Sequence, residues 1–187
     1  AVAAMSITGR ISMFAFSDML GFGQGFQPVS SFNYGAERYG RVREAVRFTA
    51  ITGTVIMTAA AAICIVFAHP IIGAFRADDP DVMEIGVTAL RLQAILLPLT
   101  GLVTTTNMGL QSTGQALPAT ILAMARQGIC FIPLILILPS KLGILGVEIA
   151  QPLSDFITFI AAIFFFISFN RMLRQKEQGK IQNSDAL

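Results

Sequence analysis

An all-α, polytopic membrane protein with about five transmembrane helices is what this sequence predicts, on three observations. Of its 187 residues, 54% are hydrophobic and 13% charged, about half the charge of an ordinary soluble domain. Residues 48–75 and 92–125 contain no Lys, Arg, Asp or Glu, and apolar runs beyond about 18 residues mark membrane spans. No strand alternation, repeat or low-complexity tract interrupts the helical reading, and no soluble domain can be cut out. A nucleic-acid-binding protein, a disulfide scaffold and a disordered chain are excluded. The net charge of +2 is too small to signal an anionic partner, so the lipid bilayer is the first partner implied.

At about 20 residues per span, five segments follow in order. The first, 2–34, is longer than a straight crossing needs, and Gly21, Gly23, Gly25 and Pro28 predict a bend or break there. The second covers 47–69. Pro70–Phe75 is too short to span and is expected to lie along the surface. The third, 80–112, has a good start, with Asp79 as cap and Pro80 in the first helical position; Pro98 predicts a kink. The fourth, 116–139, contains Pro133. The fifth, 147–170, carries Pro152 early enough to be tolerated, and a cytoplasmic tail, 176–187, follows. Cys64 and Cys130 fall in apolar runs without metal-ligand spacing and read as small buried residues. The chain opens on Ala in an already apolar stretch, without the basic region of a secretory signal, and reads as a portion of a longer protein.

The basic residues set the expected orientation. Arg38, Arg41, Arg43 and Arg47 lie in or beside the first link, and Arg171, Arg174, Lys176 and Lys180 in the tail. The opposite links carry only Arg76 and Lys141, with Asp78, Asp79 and Asp81 beside the former. That asymmetry places the carboxyl terminus in the cytoplasm of a multi-pass protein of the cell (inner) membrane.

No catalytic constellation is present, so an enzyme is not expected. His69 stands beside Pro70 at an outer helix end with no nucleophile pattern near it, and no Gly-rich phosphate loop ending in Lys-Ser/Thr occurs. No cofactor or metal is implied. The informative residues are charges inside spans, which are expensive in hydrocarbon and face a cavity or a partner. Arg10 and Arg91 lie close enough to span ends to snorkel. Arg126 lies about 10 Å inside its span and either snorkels or bridges neighbouring helices. Asp155 is too short to snorkel far. Gln151, Ser154, Asp155 and Thr158 share one helix face, with Phe164 roughly opposite. Such a stripe faces a water-filled path or glues two helices together. Asp18 and Asp155 lie at about 24 and about 23 Å from the inner ends of their spans, and two acids in one cavity would form a proton-exchange site.

Several stretches resemble the carboxyl-terminal lobe of the multidrug and toxic compound extrusion (MATE) family. Gly23–Ala36, GQGFQPVSSFNYGA, with Arg38, Arg41 and Arg43 after it, is similar to the family's signature at the inner end of the eighth helix. Phe75–Leu92, FRADDPDVMEIGVTALRL, resembles the approach to the tenth. Arg126–Pro139, RQGICFIPLILILP, and Ile149–Phe159, IAQPLSDFITF, look like the eleventh and twelfth helices of the MepA-like branch. The match runs in order over about residues 1–175.

The resemblance implies part of a six-helix lobe of a twelve-helix antiporter, one that exports cationic amphipathic drugs against protons or sodium ions. The amino-terminal lobe would be the missing partner. Some members carry an acid in the tenth helix. Here Glu84–Ser112 has none after its outermost turn, which favours protons. Asp155, Gln151, Asp18 and Arg126 are the candidate substrate- or ion-binding residues. A flippase-like exporter of related architecture is the rival, although it would need more cations than Arg126 in its cavity. A non-transporting membrane fragment or subunit is the second rival.

Overall fold

The computed structural model describes residues 2–75 and 80–184. Its elements are α1 (Val2–Gly35), α2 (Tyr39–Val66), α3 (Ala68–Phe75), α4 (Pro80–Ser112), α5 (Ala116–Met124), a π-turn (Ala125–Ile129), α6 (Phe131–Leu142) and α7 (Ile144–Ser184). No strand occurs among the described residues. Among the described residues, three helices are long and apolar enough to cross a bilayer: Tyr39–Val66, Met83–Ser112 and Ile144–Gln182. Large side chains such as Phe14, Phe32, Phe48, Leu136 and Phe164 point outward, a surface that suits lipid rather than water. Outward-facing hydroxyls satisfy themselves on their own helix: Ser140 donates to the Ile137 carbonyl at 2.7 Å and Thr58 to that of Thr54 at 2.7 Å. In hydrocarbon no water would do so.

Several boundaries differ from expectation, each for a physical reason. α1 continues through Pro28 without a break; the proline removes one backbone donor, which a long packed helix absorbs. α2 begins at Tyr39 rather than 47, because a tight turn feeds it directly. In that turn Arg38 N–H reaches the Asn33 carbonyl at 2.8 Å and Glu37 N–H that of Tyr34 at 3.0 Å. Glu37 has φ 56°, the left-handed residue of a Schellman cap. The same pair of bonds closes α4, from Gln115 to Leu110 at 2.9 Å and from Gly114 to Gln111 at 3.1 Å. There a glycine supplies the positive φ.

α3 is short and anchored to the bundle by one face, while His69, Pro70, Ala74 and Phe75 stay exposed. Ala68 and Ile72 are fully buried and join the core formed by Ala61, Cys64, Leu90 and Ala94. The expected cap Asp79 lies outside the described residues, while the helix does start at Pro80. Residues 116–139 are two helices rather than one: the interruption is the π-turn just before Pro133. Because Pro133 cannot donate to the carbonyl four residues back, a register change on that side relieves a conflict the sequence already contains. α7 runs to Ser184, about 60 Å in all, and the stretch expected to be a tail is helical to that point.

α1 and α4 run parallel. Thr8 sits by Gly86, Gly23 by Thr104 and Met108, and Gln27 by Gln111. One core fills the end bearing α3. A second, built on Phe26, Val42, Val46, Met108, Phe169 and Leu173, fills the other.

Candidate functional site

The charged centre lies where α1, the π-turn and α7 meet. Arg126 Nε donates to Asp155 Oδ1 at 2.8 Å, with the two side chains 17% and 6% exposed. Gln151 Nε2 donates to the same oxygen at 3.2 Å. The guanidinium carbon lies 4.0 Å from the centroid of the Phe16 ring on α1, within cation–π range. The backbone at Arg126 is fixed as well. Cys130 N–H bonds the Ala125 carbonyl at 3.0 Å, one residue further back than an α-helix allows, and the Arg126 carbonyl accepts from Ser154 Oγ at 2.7 Å. The π-turn thus offers α7 a carbonyl that α-helical pairing would have used. Thr158 donates to the Ser154 carbonyl at 2.8 Å and closes the stripe.

Two cavities flank this centre, of about 360 and about 520 Å³. The first is lined by Gln24 and Gln27 of α1, Thr104, Asn107 and Gln111 of α4, and Arg126. Its amides form a chain: Gln27 Nε2 donates to Gln111 Oε1 at 3.2 Å, Gln111 to Asn107, and Asn107 Nδ2 to the Ala119 carbonyl at 2.7 Å. The second is lined by Ser12 and Ser17 of α1, Gln93 of α4, Phe131 and Ile135 of α6, and Gln151 of α7. Phe16, Leu20 and Arg126 border both. Among the described lining residues Arg126 is the one ionisable side chain; the remaining polar lining is amides and hydroxyls.

Of the four residues singled out from sequence, Arg126, Gln151 and Asp155 come together. Arg126 bridges helices rather than snorkelling. Asp18 is not part of the group: it lies on an exposed face of α1, two residues and roughly 200° round the helix from Phe16. It lines neither of the two cavities. Phe164 faces outward at 71% exposure, as its position opposite the stripe requires. Glu148, in the first turns of α7, is buried at 4% exposure, and its Oε2 has no hydrogen-bond partner. Sequence reasoning passed over Phe16, Gln24, Gln27, Asn107 and Gln111. Their signal was spacing: Gln24 and Gln27 at i, i+3, and Asn107 and Gln111 at i, i+4, place amides on single faces of otherwise apolar helices.

Comparison with known proteins supplies the family. The MatE family model matches residues 1–137. The multidrug export protein MepA of Staphylococcus haemolyticus is 26% identical over 182 residues, 97% of this chain and 40% of that protein. A ligand-bound structure of the MATE multidrug transporter DinF-BH superposes with TM-score 0.81 at 32% identity, covering 88% of this chain and 36% of that one. A MATE structure in the bent conformation gives TM-score 0.84 at 22% identity over 95% of this chain and 39% of that one. The chain thus spans about 40% of the length of the relatives it matches. With a matching model over most of its length and the same helical architecture, the chain belongs to the MatE family, membrane transporters of the multidrug and toxic compound extrusion class rather than enzymes.

Proposed function

We propose that this chain forms the carboxyl-terminal lobe of an ion-coupled antiporter that exports cationic amphipathic drugs across the cell membrane, its carboxyl terminus in the cytoplasm and an amino-terminal lobe completing the cavity. The observation that carries the reading is the buried Arg126–Asp155 pair at the junction of two amide-lined cavities. A buried ion pair is a poor source of stability, because its desolvation cost rivals its attraction, but it is a good two-state element. A proton on Asp155 removes the charge that holds Arg126; a cation entering the cavity competes with Arg126 for the same carboxylate. Competition of that kind is what exchange of an ion for a drug needs, and protons are the preferred ion. Gln151, which shares Asp155 Oδ1, keeps the carboxylate aimed in either state.

Asp155→Asn in the complete transporter tests the proposal. It keeps the size and most of the hydrogen bonding but cannot carry the charge. Protein level should persist while export from reconstituted vesicles falls or loses its pH dependence. Normal pH-dependent export would reject the coupling role.

A further inference from the structure

The two cavities are stacked along the helix axes rather than side by side. α1 and α4 run parallel, and the second cavity draws on Ser12 and Gln93 while the first draws on residues further along both helices, Gln24 with Thr104 and Asn107. Between them stands a layer made of Phe16, Leu20 and Arg126, the three residues common to both linings. Two of these are apolar and packed. The third is a long, rotatable cation whose position depends on two contacts made by other helices: Asp155 at 2.8 Å on α7 and the Phe16 ring at 4.0 Å on α1. Its backbone is fixed separately by Ser154, so the side chain can leave its place while the helix stays.

We propose that Arg126 is a gating residue: held by Asp155 against Phe16 it closes the passage between the two cavities, and withdrawn from both it joins them into one path for substrate. This rests on the transport reading above in that the path serves a transported molecule. The gate itself, however, is a statement about access. Its parts fit the task. Arginine stays charged, so its hold on Asp155 is set by the carboxylate alone. The ring face gives the guanidinium a defined resting place without a hydrogen bond. The amides of Gln24 and Gln151 lie one on each side of the layer.

The test is accessibility in the complete transporter, in a background with its cysteines replaced. One reporter cysteine replaces Ser12 and, in a separate protein, one replaces Gln24. A membrane-impermeant methanethiosulfonate reagent is applied from one face of the membrane at a time. With Arg126 present, each face should label one reporter and spare the other. Arg126→Ala should raise the labelling rate of the spared reporter by about tenfold or more, the effect of removing a modest barrier. Phe16→Ala, which leaves the ion pair untouched, should do so in part and serves if Arg126→Ala does not accumulate. Labelling of both reporters from one face in the parent protein would overturn the gate, as would unchanged protection in the variants. The coupling proposal is read separately from export by Asp155→Asn: a gate that opens as expected beside normal export in that variant would retain Arg126 as gate and reject Asp155 as coupling group.

Discussion

Ser154 carries more of the site than its size suggests. Its hydroxyl takes the Arg126 carbonyl at 2.7 Å, and both Ser154 and Thr158 are fully buried, so neither can turn to water. Removing a partner from a buried acceptor costs about 1–3 kcal/mol. Ser154→Ala should therefore lower the thermal stability of the purified protein in detergent more than Thr158→Ala, because the Thr158 hydroxyl serves a carbonyl of its own helix. Equal losses would show that the π-turn carbonyl is satisfied without Ser154. At this scale the sequence was legible in part. Polar residues at i, i+3, i+4 and i+7 in an apolar helix marked Gln151, Ser154, Asp155 and Thr158 as one face, and the structure groups them. That Arg126 is their partner was not legible, since it depends on the π-turn register and on how two helices are phased. The same dependence on phase explains Asp18, expected at the depth of Asp155 but found on an exposed face of α1.

Helix packing here is decided by a few glycines. A Cβ added at Gly101 of α4 would stand 2.7 Å from the Thr54 nitrogen and 2.9 Å from the Gly53 carbonyl carbon of α2. Backbone cannot rotate aside as a side-chain tip can, and small residues at a crossing let two membrane helices approach closely. Gly101→Ala should cost about 1–3 kcal/mol, the usual penalty of overpacking. Gly21 is the contrast, because nothing lies within 4 Å of its added Cβ. Gly21→Ala should be neutral or stabilising by up to about 1 kcal/mol, the helix preference of alanine over glycine. Thermal unfolding of the two variants side by side checks both signs. The Gly-Pro cluster that suggested a break in α1 illustrates the limit of local signals, as one long packed helix overrides it. The length of α7 was hidden for a related reason. Its charged end stops reading as a span, yet stays helical beside the α1–α2 turn. Lys176 donates to the Tyr34 hydroxyl at 2.7 Å, Glu177 pairs with Arg43 at 2.9 Å and Lys180 with Glu37 at 3.1 Å.

These same contacts fix which ends of the molecule belong together. The end of α1, the start of α2 and the extension of α7 share one pole, which gathers Arg38, Arg41, Arg43, Arg47, Arg171, Arg174, Lys176 and Lys180. Lys141 lies in the last turn of α6, an apolar helix that leads away from the π-turn. Whole-molecule organisation was the most legible level: the long apolar runs marked an all-helical membrane chain, and the basic residues gather at one pole, neither of which needs side-chain phase. Cationic residues are retained on the cytoplasmic side of short membrane links, so the basic pole is expected inside. Single cysteines at Glu37 and Gln178, both on exposed positions of that pole, should react with an impermeant thiol reagent only from the cytoplasm, and one at Lys141, exposed at the other pole, only from outside. Whole cells compared with inverted vesicles separate the two faces. Labelling of all three from one side would mean that the chain does not cross the bilayer as five spans, and the assignment of inside and outside would fall with it.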